Sequence, residues 1–231
     1  SLPSNLQTGL VGYWPFCGNA SDASGNGNHG NVNSASLTSD RFGNANCAYN
    51  FTQGTWFEKS LDMNPAFTVS LWANFQNFQN SYQCLFQHKN ICAGGGGHNL
   101  GTQNTGLRYF SHICGACCQG VYPNHLNISS LSANNWGHYV VTSDGISTIR
   151  VYLNNVQIDS IIGSAATLDF GNVPFLLAKW LDGSDLYFSN IKLDDVAYWH
   201  RTLSPSEIQQ LYTQGQTTYA WSPGGATTPS I

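Results

Sequence analysis

Apolar and polar residues alternate with a period of two along most of this chain, and a helical signal occurs once. From Ile191 to Trp199 the alternation puts Ile191, Leu193, Asp195, Ala197 and Trp199 on one face and Lys192, Asp194, Val196 and Tyr198 on the other. Apolar residues on both sides predict a strand covered on both faces, interrupted by two adjacent acids. The following segment opens with Ser204 at a helix N-cap, Pro205 at the first helical position and Glu207 placed to close a capping box, which predicts a short helix over 204–212. In 67–75, Phe67, Val69, Leu71, Ala73 and Phe75 oppose Thr68, Ser70, Trp72 and Asn74, the pattern of a half-buried strand. Further short strands are expected at 10–16, 47–51, 56–59, 107–111, 136–142, 149–153, 156–158 and 175–180, with an Asn154-Asn155 hairpin turn between two of them. Many short strands separated by turn chemistry predict an all-β, two-sheet antiparallel sandwich with one short C-terminal helix.

The same reading divides the chain. Residues 1–9 form a lead-in, 10–213 the folded domain, and 214–231 a Thr-, Gly- and Pro-containing linker towards a further module. Within the domain, 84–127 reads as an irregular insertion rich in Cys, Gly and His. Residues 22–30 (Asp-Ala-Ser-Gly-Asn-Gly-Asn-His-Gly) are neither helix nor strand but a sharply turning loop that offers oxygens.

Composition narrows the function. Only 9% of residues are charged, against roughly 25% in an average domain, while 13% are aromatic, so disorder is excluded. Eight basic residues and a net charge of -4 leave no surface for a phosphate backbone, which excludes nucleic acid. No apolar run is long enough for membrane insertion. Seven cysteines with few lysines point to an oxidising compartment, hence a secreted or cell-surface protein.

Residues 10–16 followed by 22–30 resemble the opening signature of laminin-G-like jelly-roll domains of the concanavalin A-like lectin/glucanase superfamily. Residues 67–74, 136–144, 149–156 and 186–203 are similar to that family's successive strands, in order. The resemblance implies a jelly roll with its N- and C-terminal strands side by side, and often a structural calcium ion. It implies no single activity, because lectins, adhesion modules and polysaccharide-cleaving enzymes share the fold. Calcium takes six to eight hard oxygens. The expected donors are Asp22 and Asn28 from the loop and Asp194 and Asp195 from the strand. An EF-hand is rejected, because its twelfth position would be Asn33 and no helices flank the loop.

Cys17 and Cys47 flank the first strands and are expected to pair. Cys84, Cys92, Cys114, Cys117 and Cys118, with His88, His98 and His112, suit either disulfides or zinc, and the compartment favours disulfides. Catalysis by paired carboxylates is disfavoured, since the only glutamates are Glu58 and the helix-capping Glu207. Tyr109 with Arg108 and His112 is the nearest imitation of a polysaccharide-lyase pair. The expectation is therefore a non-catalytic, lectin-like module that binds a glycan or polysaccharide, with Trp72, Tyr109, Tyr122 and Trp180 as candidate stacking rings. A protein-binding adhesion or spacer module without glycan affinity, meeting a surface protein, is the competing class.

Overall fold

A computed structural model describes residues 2–62, 64–78, 82–89, 97–103, 106–112, 121–125, 131–162, 172–182 and 185–215. Two antiparallel sheets pack face to face. The first contains β1 (Leu10–Trp14), β3 (Ser36–Thr38), β4 (Ala48–Phe51), β6 (Ala66–Phe75), β11 (Trp136–Asp144), β12 (Thr148–Leu153), β13 (Val156–Ile162) and β17 (Ile191–Trp199). The second contains β2 (Asn31–Asn33), β5 (Trp56–Asp62), β7 (Tyr82–Lys89), β8 (Gly97–Gln103), β9 (Gly106–His112), β10 (Val121–His125) and β14 (Asn172–Leu177). A separate hairpin joins β15 (Lys179–Asp182) to β16 (Asp185–Phe188), and among the described residues two helices, α1 (Ser4–Gln7) and α2 (Pro205–Thr213), complete the set.

The expected strands are present, except that the one expected at 175–180 divides at Ala178 (φ 61°) into β14 and β15, and the expected hairpin turn has both Asn154 (φ 51°) and Asn155 (φ 66°) at positive φ. The capping box forms as the sequence requires: Ser204 accepts from the Glu207 N–H and the Glu207 carboxylate accepts from the Ser204 N–H. One segment departs from expectation. Within 84–127, β7, β8, β9 and β10 form one wing of the second sheet, in the order β10-β9-β8-β7-β14-β5-β2. Beside the apolar Leu85, Phe86, Leu100, Leu107 and Tyr109, the buried positions of these strands include Gln83, Gln87, His88, His98, Asn99 and Thr102, so polar residues interrupt the apolar alternation and hide its period.

Between the sheets lies an aromatic core that includes Trp14, Phe16, Phe51, Phe57, Phe75, Phe86 and Phe175. A second core sits on the outer face of the first sheet. There Leu2 and Leu6 from the lead-in and Leu203, Ile208 and Leu211 from α2 and its approach cover Val140, Tyr152, Ala197 and Trp199. The lead-in is thus part of the domain. Because of this cover, Thr68, Ser70, Trp72 and Asn74 are buried too, and β6 is enclosed on both faces rather than half-buried.

β17 is central: β6 runs along one edge, while β4 (at residues 191–193) and then β1 (at 196–199) share the other. The N- and C-terminal strands lie side by side, as the resemblance implied. Where the partner changes from β4 to β1, β17 bulges, with Asp195 at φ 47° and a register shift against β6 between Asp194 and Ala197. The bulge reverses parity. Ile191 and Leu193 point into the inter-sheet core, but beyond it Val196 and Tyr198 do so, while Ala197 and Trp199 join the outer core. The single unbroken alternation expected for this strand is corrected accordingly.

Candidate functional site

The loop at 22–30 folds onto the outer edge of β1, the edge that β17 does not use. The carboxylate of Asp22 accepts from the backbone N–H groups of Tyr13 (3.0 Å), Ser24 (2.8 Å) and Asn28 (2.8 Å), and Ala23 N–H donates to Tyr13 O. Asn26 and Asn28 donate their side-chain amides to the carbonyls of Leu10 and Val11. Burial pushes the Asp22 carboxyl up, but the hydrogen bonds from Ser24, Tyr13 and Asn28 outweigh it and leave it below its ordinary value. These glycines and asparagines therefore serve as an edge cover for a strand whose polar groups would otherwise be unpaired.

Asp194 and Asp195 lie on the other side of β1 and meet a different cation. Arg41, from the turn between β3 and β4, pairs one guanidinium nitrogen with Asp194 and the other with Asp195 (2.7 Å). Tyr13 donates its hydroxyl to Asp195 at 2.5 Å. Burial, and then the neighbouring Asp195, push the Asp194 carboxyl up against the pull of Arg41. The four expected calcium donors do not converge. The Asp22 oxygens are engaged by backbone N–H groups, the Asn28 amide donates rather than accepts, and the two strand acids face a guanidinium. These residues do not fit a shared calcium site, and no group of three or more His, Cys, Asp or Glu side chains suited to a metal occurs among the described residues.

Three of the expected stacking rings are buried. Trp72, 7% exposed, is stacked on Tyr212 (5.6 Å) and His138 (5.1 Å), with the Arg41 guanidinium 4.6 Å from its ring centre. Trp180 is also 7% exposed and packs edge-on against Tyr82, and Tyr109 is wholly buried, bonded to His98. Rings without an open face offer no platform to a sugar, which corrects those three assignments. Tyr122 lies on β10 opposite Ser111, and its side chain is outside the described residues.

Cys17 and Cys47 form the expected disulfide. Cys84 does not follow: it is a buried free thiol against Trp180, and burial pushes its pKa up. A register shift in β7 separates it from His88, which points between the sheets at Phe175 and Tyr198, so the two cannot share a zinc ion. Cys92, Cys114, Cys117 and Cys118 lie outside the described residues.

Among the described residues, a surface groove of about 420 Å³ stands open, lined by His29, Asn31, Glu58, Lys59, Ser60 and Pro174. It forms because β2 stops pairing with β5 at Asn31 opposite Glu58. Gly30 lets the chain approach closely enough, since a β-carbon there would collide with the Phe57 ring. The same loop that covers β1 thus delivers His29 and Asn31 to the groove. Asp22 N–H donates to His29 Nδ1 (3.1 Å), so the neutral ring carries its proton on Nε2 as a free donor. Trp56 Nε1 donates to Glu58 (2.9 Å), Asn31 approaches the same carboxylate (3.4 Å), and Lys179 lies 3.8 Å from the centre of the Trp56 ring. The site therefore combines fixed acceptors and donors beside a half-exposed indole. Neither Trp56 nor Glu58 is among the residues that the sequence marks as binding candidates. The available signal was one of two glutamates, two residues from a tryptophan on the same strand face.

Solved structures place the fold. The binding domain of Paraclostridial Mosquitocidal Protein 1 is similar at 16% identity and a TM-score of 0.73, over 92% of this chain and 54% of that one. Domain 4 of AbnA, a GH43 extracellular arabinanase from Geobacillus stearothermophilus solved with arabinotriose, is similar at 16% identity and 0.69, over 88% and 98%. A botulinum neurotoxin type C structure, from work describing cell entry that depends on two ganglioside molecules, is similar at 15% and 0.69, over 93% and 53%. The chain thus spans about half the length of the two toxin chains. No curated protein matches this sequence. A laminin-G-like family model matches residues 44–209, and with the two-sheet jelly roll around β17 it establishes that the chain belongs to the concanavalin A-like lectin/glucanase superfamily.

Proposed function

We propose that this domain is a non-catalytic carbohydrate-binding module of a secreted or cell-surface protein, and that the glycan lies in the groove between His29 and Pro174. The carrying observation is the groove itself. Its volume of about 420 Å³ falls within the roughly 300–1,000 Å³ typical of small-ligand sites. Sugar hydroxyls both donate and accept, and they would meet the Glu58 carboxylate, the Asn31 amide, the Ser60 hydroxyl, the His29 Nε2–H and the Lys59 ammonium. Trp56, bonded to Glu58, adds a half-exposed aromatic ring beside the site. The arabinotriose and ganglioside associations of the similar structures support the ligand class.

A binding role also suits the carboxylates. Glu58 is held by Trp56 and Asn31, whereas Glu207 is committed to its capping box and to Arg201 (2.6 Å). Among the described residues, Glu58 is the one carboxylate lining the groove, and a glycosidase would need a second as acid or nucleophile. The test is a glycan array followed by titration of the best oligosaccharide against Asn31→Ala and Glu58→Ala. Loss of one buried charge-assisted hydrogen bond weakens affinity by about tenfold. Silence across the array, or binding that both variants retain in full, would reject the reading. Silence would shift attention to a protein partner, such as the synaptotagmin bound by a similar botulinum neurotoxin DC domain.

A further inference from the structure

We propose that Arg41 is the domain's built-in counter-cation, occupying the place at the β17 bulge where a calcium ion was expected, so that the domain folds without calcium. The proposal stands independently of glycan binding.

The geometry is specific to a guanidinium. The acids sit where β17 leaves β4 and takes up β1, so a gap in the ladder opens towards the loop that follows β3. An Asp40-centred turn aims Arg41 into that gap, with Asp40 accepting from the N–H groups of Phe42 and Asn44 (both 2.8 Å). The planar fork then spans both carboxylates, one nitrogen to each, while the second nitrogen also donates to Gln214 O (3.2 Å). Trp72 and Phe42 present their rings to the guanidinium at 4.6 and 4.4 Å. Its side chain is 5% exposed, its two terminal nitrogens are committed to the two acids and the Gln214 carbonyl, and among the described residues its buried Nε has no partner. One positive charge against two carboxylates leaves an excess that the Tyr13 hydroxyl disperses by donating to Asp195. A divalent ion would need six to eight oxygens in the same volume, but the guanidinium fills it and Asp22 is turned to β1.

Two experiments decide the matter. Melting curves of the wild-type domain in EDTA and in excess calcium should superimpose; a fall in EDTA that calcium reverses overturns the proposal. Arg41→Met should lower the melting temperature by about 10 °C, the shift for a buried ion pair stripped of one partner. Adding Asp194→Asn and Asp195→Asn to Arg41→Met should restore most of that loss. A triple variant no more stable than Arg41→Met would show that Arg41 acts through packing and not as a counter-cation. Should Arg41→Met fail to fold, the triple variant decides alone: folding supports the proposal and failure overturns it.

Discussion

The outer face of the first sheet and the free edge of the second are built from the same residue types and serve opposite ends. On the first sheet, an aromatic ring (Trp72), a histidine (His138), an arginine and two acids are stacked and paired under α2, around a cavity of only about 10 Å³. At the edge of the second sheet, a histidine (His29), a lysine (Lys59) and one acid (Glu58) line an open groove, with a tryptophan (Trp56) bonded to that acid. Chemistry that reads as a binding site in sequence becomes structure when an amphipathic helix covers it. It remains available where a short strand stops and leaves the neighbouring edge uncovered.

Substitutions on the two surfaces should therefore separate stability from binding. The largest effect is expected at Trp199, which is wholly buried beneath the lead-in and donates its indole N–H to Leu6 O (2.7 Å). Trp199→Ala should cost about 3–5 kcal/mol by denaturant titration while the folded fraction keeps its glycan affinity. A loss of affinity in folded protein would mean that the two surfaces are coupled.

Acid should act next. Burial pushes His88 down to about 4, and burial together with the nearby Arg41 pushes His138 down to about 3. The unfolded imidazoles titrate near 6.5 (roughly the free value). The unfolded chain thus takes up protons that the folded chain refuses. This stabilisation is complete above pH ~6.5 and is lost progressively as pH falls below it towards the folded values. Melting temperatures across that window should decline, and His138→Asn should flatten the slope; an unchanged slope in both His138→Asn and His88→Asn would assign acid sensitivity elsewhere.

A smaller loss, about 1 kcal/mol, is expected for Ser204→Ala, which removes the cap that seats α2 over Trp72. Smallest is Glu58→Ala in the groove, within about 0.5 kcal/mol of wild type in stability, although it should weaken glycan binding. A large stability loss there would mark Glu58 as part of the scaffold rather than the site.

Much of the fold was legible. The capping box at 204–207 and the Asn154-Asn155 turn are local, and each depends on residues within a few positions of one another. The strict alternation of β6 and the pairing of Cys17 with Cys47 were also read correctly. The second sheet's β7 and β8 were not, because buried Gln87, His88 and Asn99 erase the apolar rhythm that marks a strand. The candidate site was less legible still. Loop 22–30 was singled out for its oxygens, yet its role is to cover β1 and to deliver His29 and Asn31 to the groove. Trp72 was marked as a binding ring, and nothing in its neighbourhood along the chain announces Tyr212 above it.

By itself, the sequence determined the strands with a clear period of two, the capped helix and the all-β class, because backbone periodicity and capping are settled by near neighbours. Tertiary structure alone decided that β17 would bulge at its acids, that Arg41, 153 residues away from Asp194, would neutralise them, and that the open groove would lie beside Trp56. Which charges meet and which rings stay uncovered depends on where sheet edges end and what packs over them, and no local pattern encodes that.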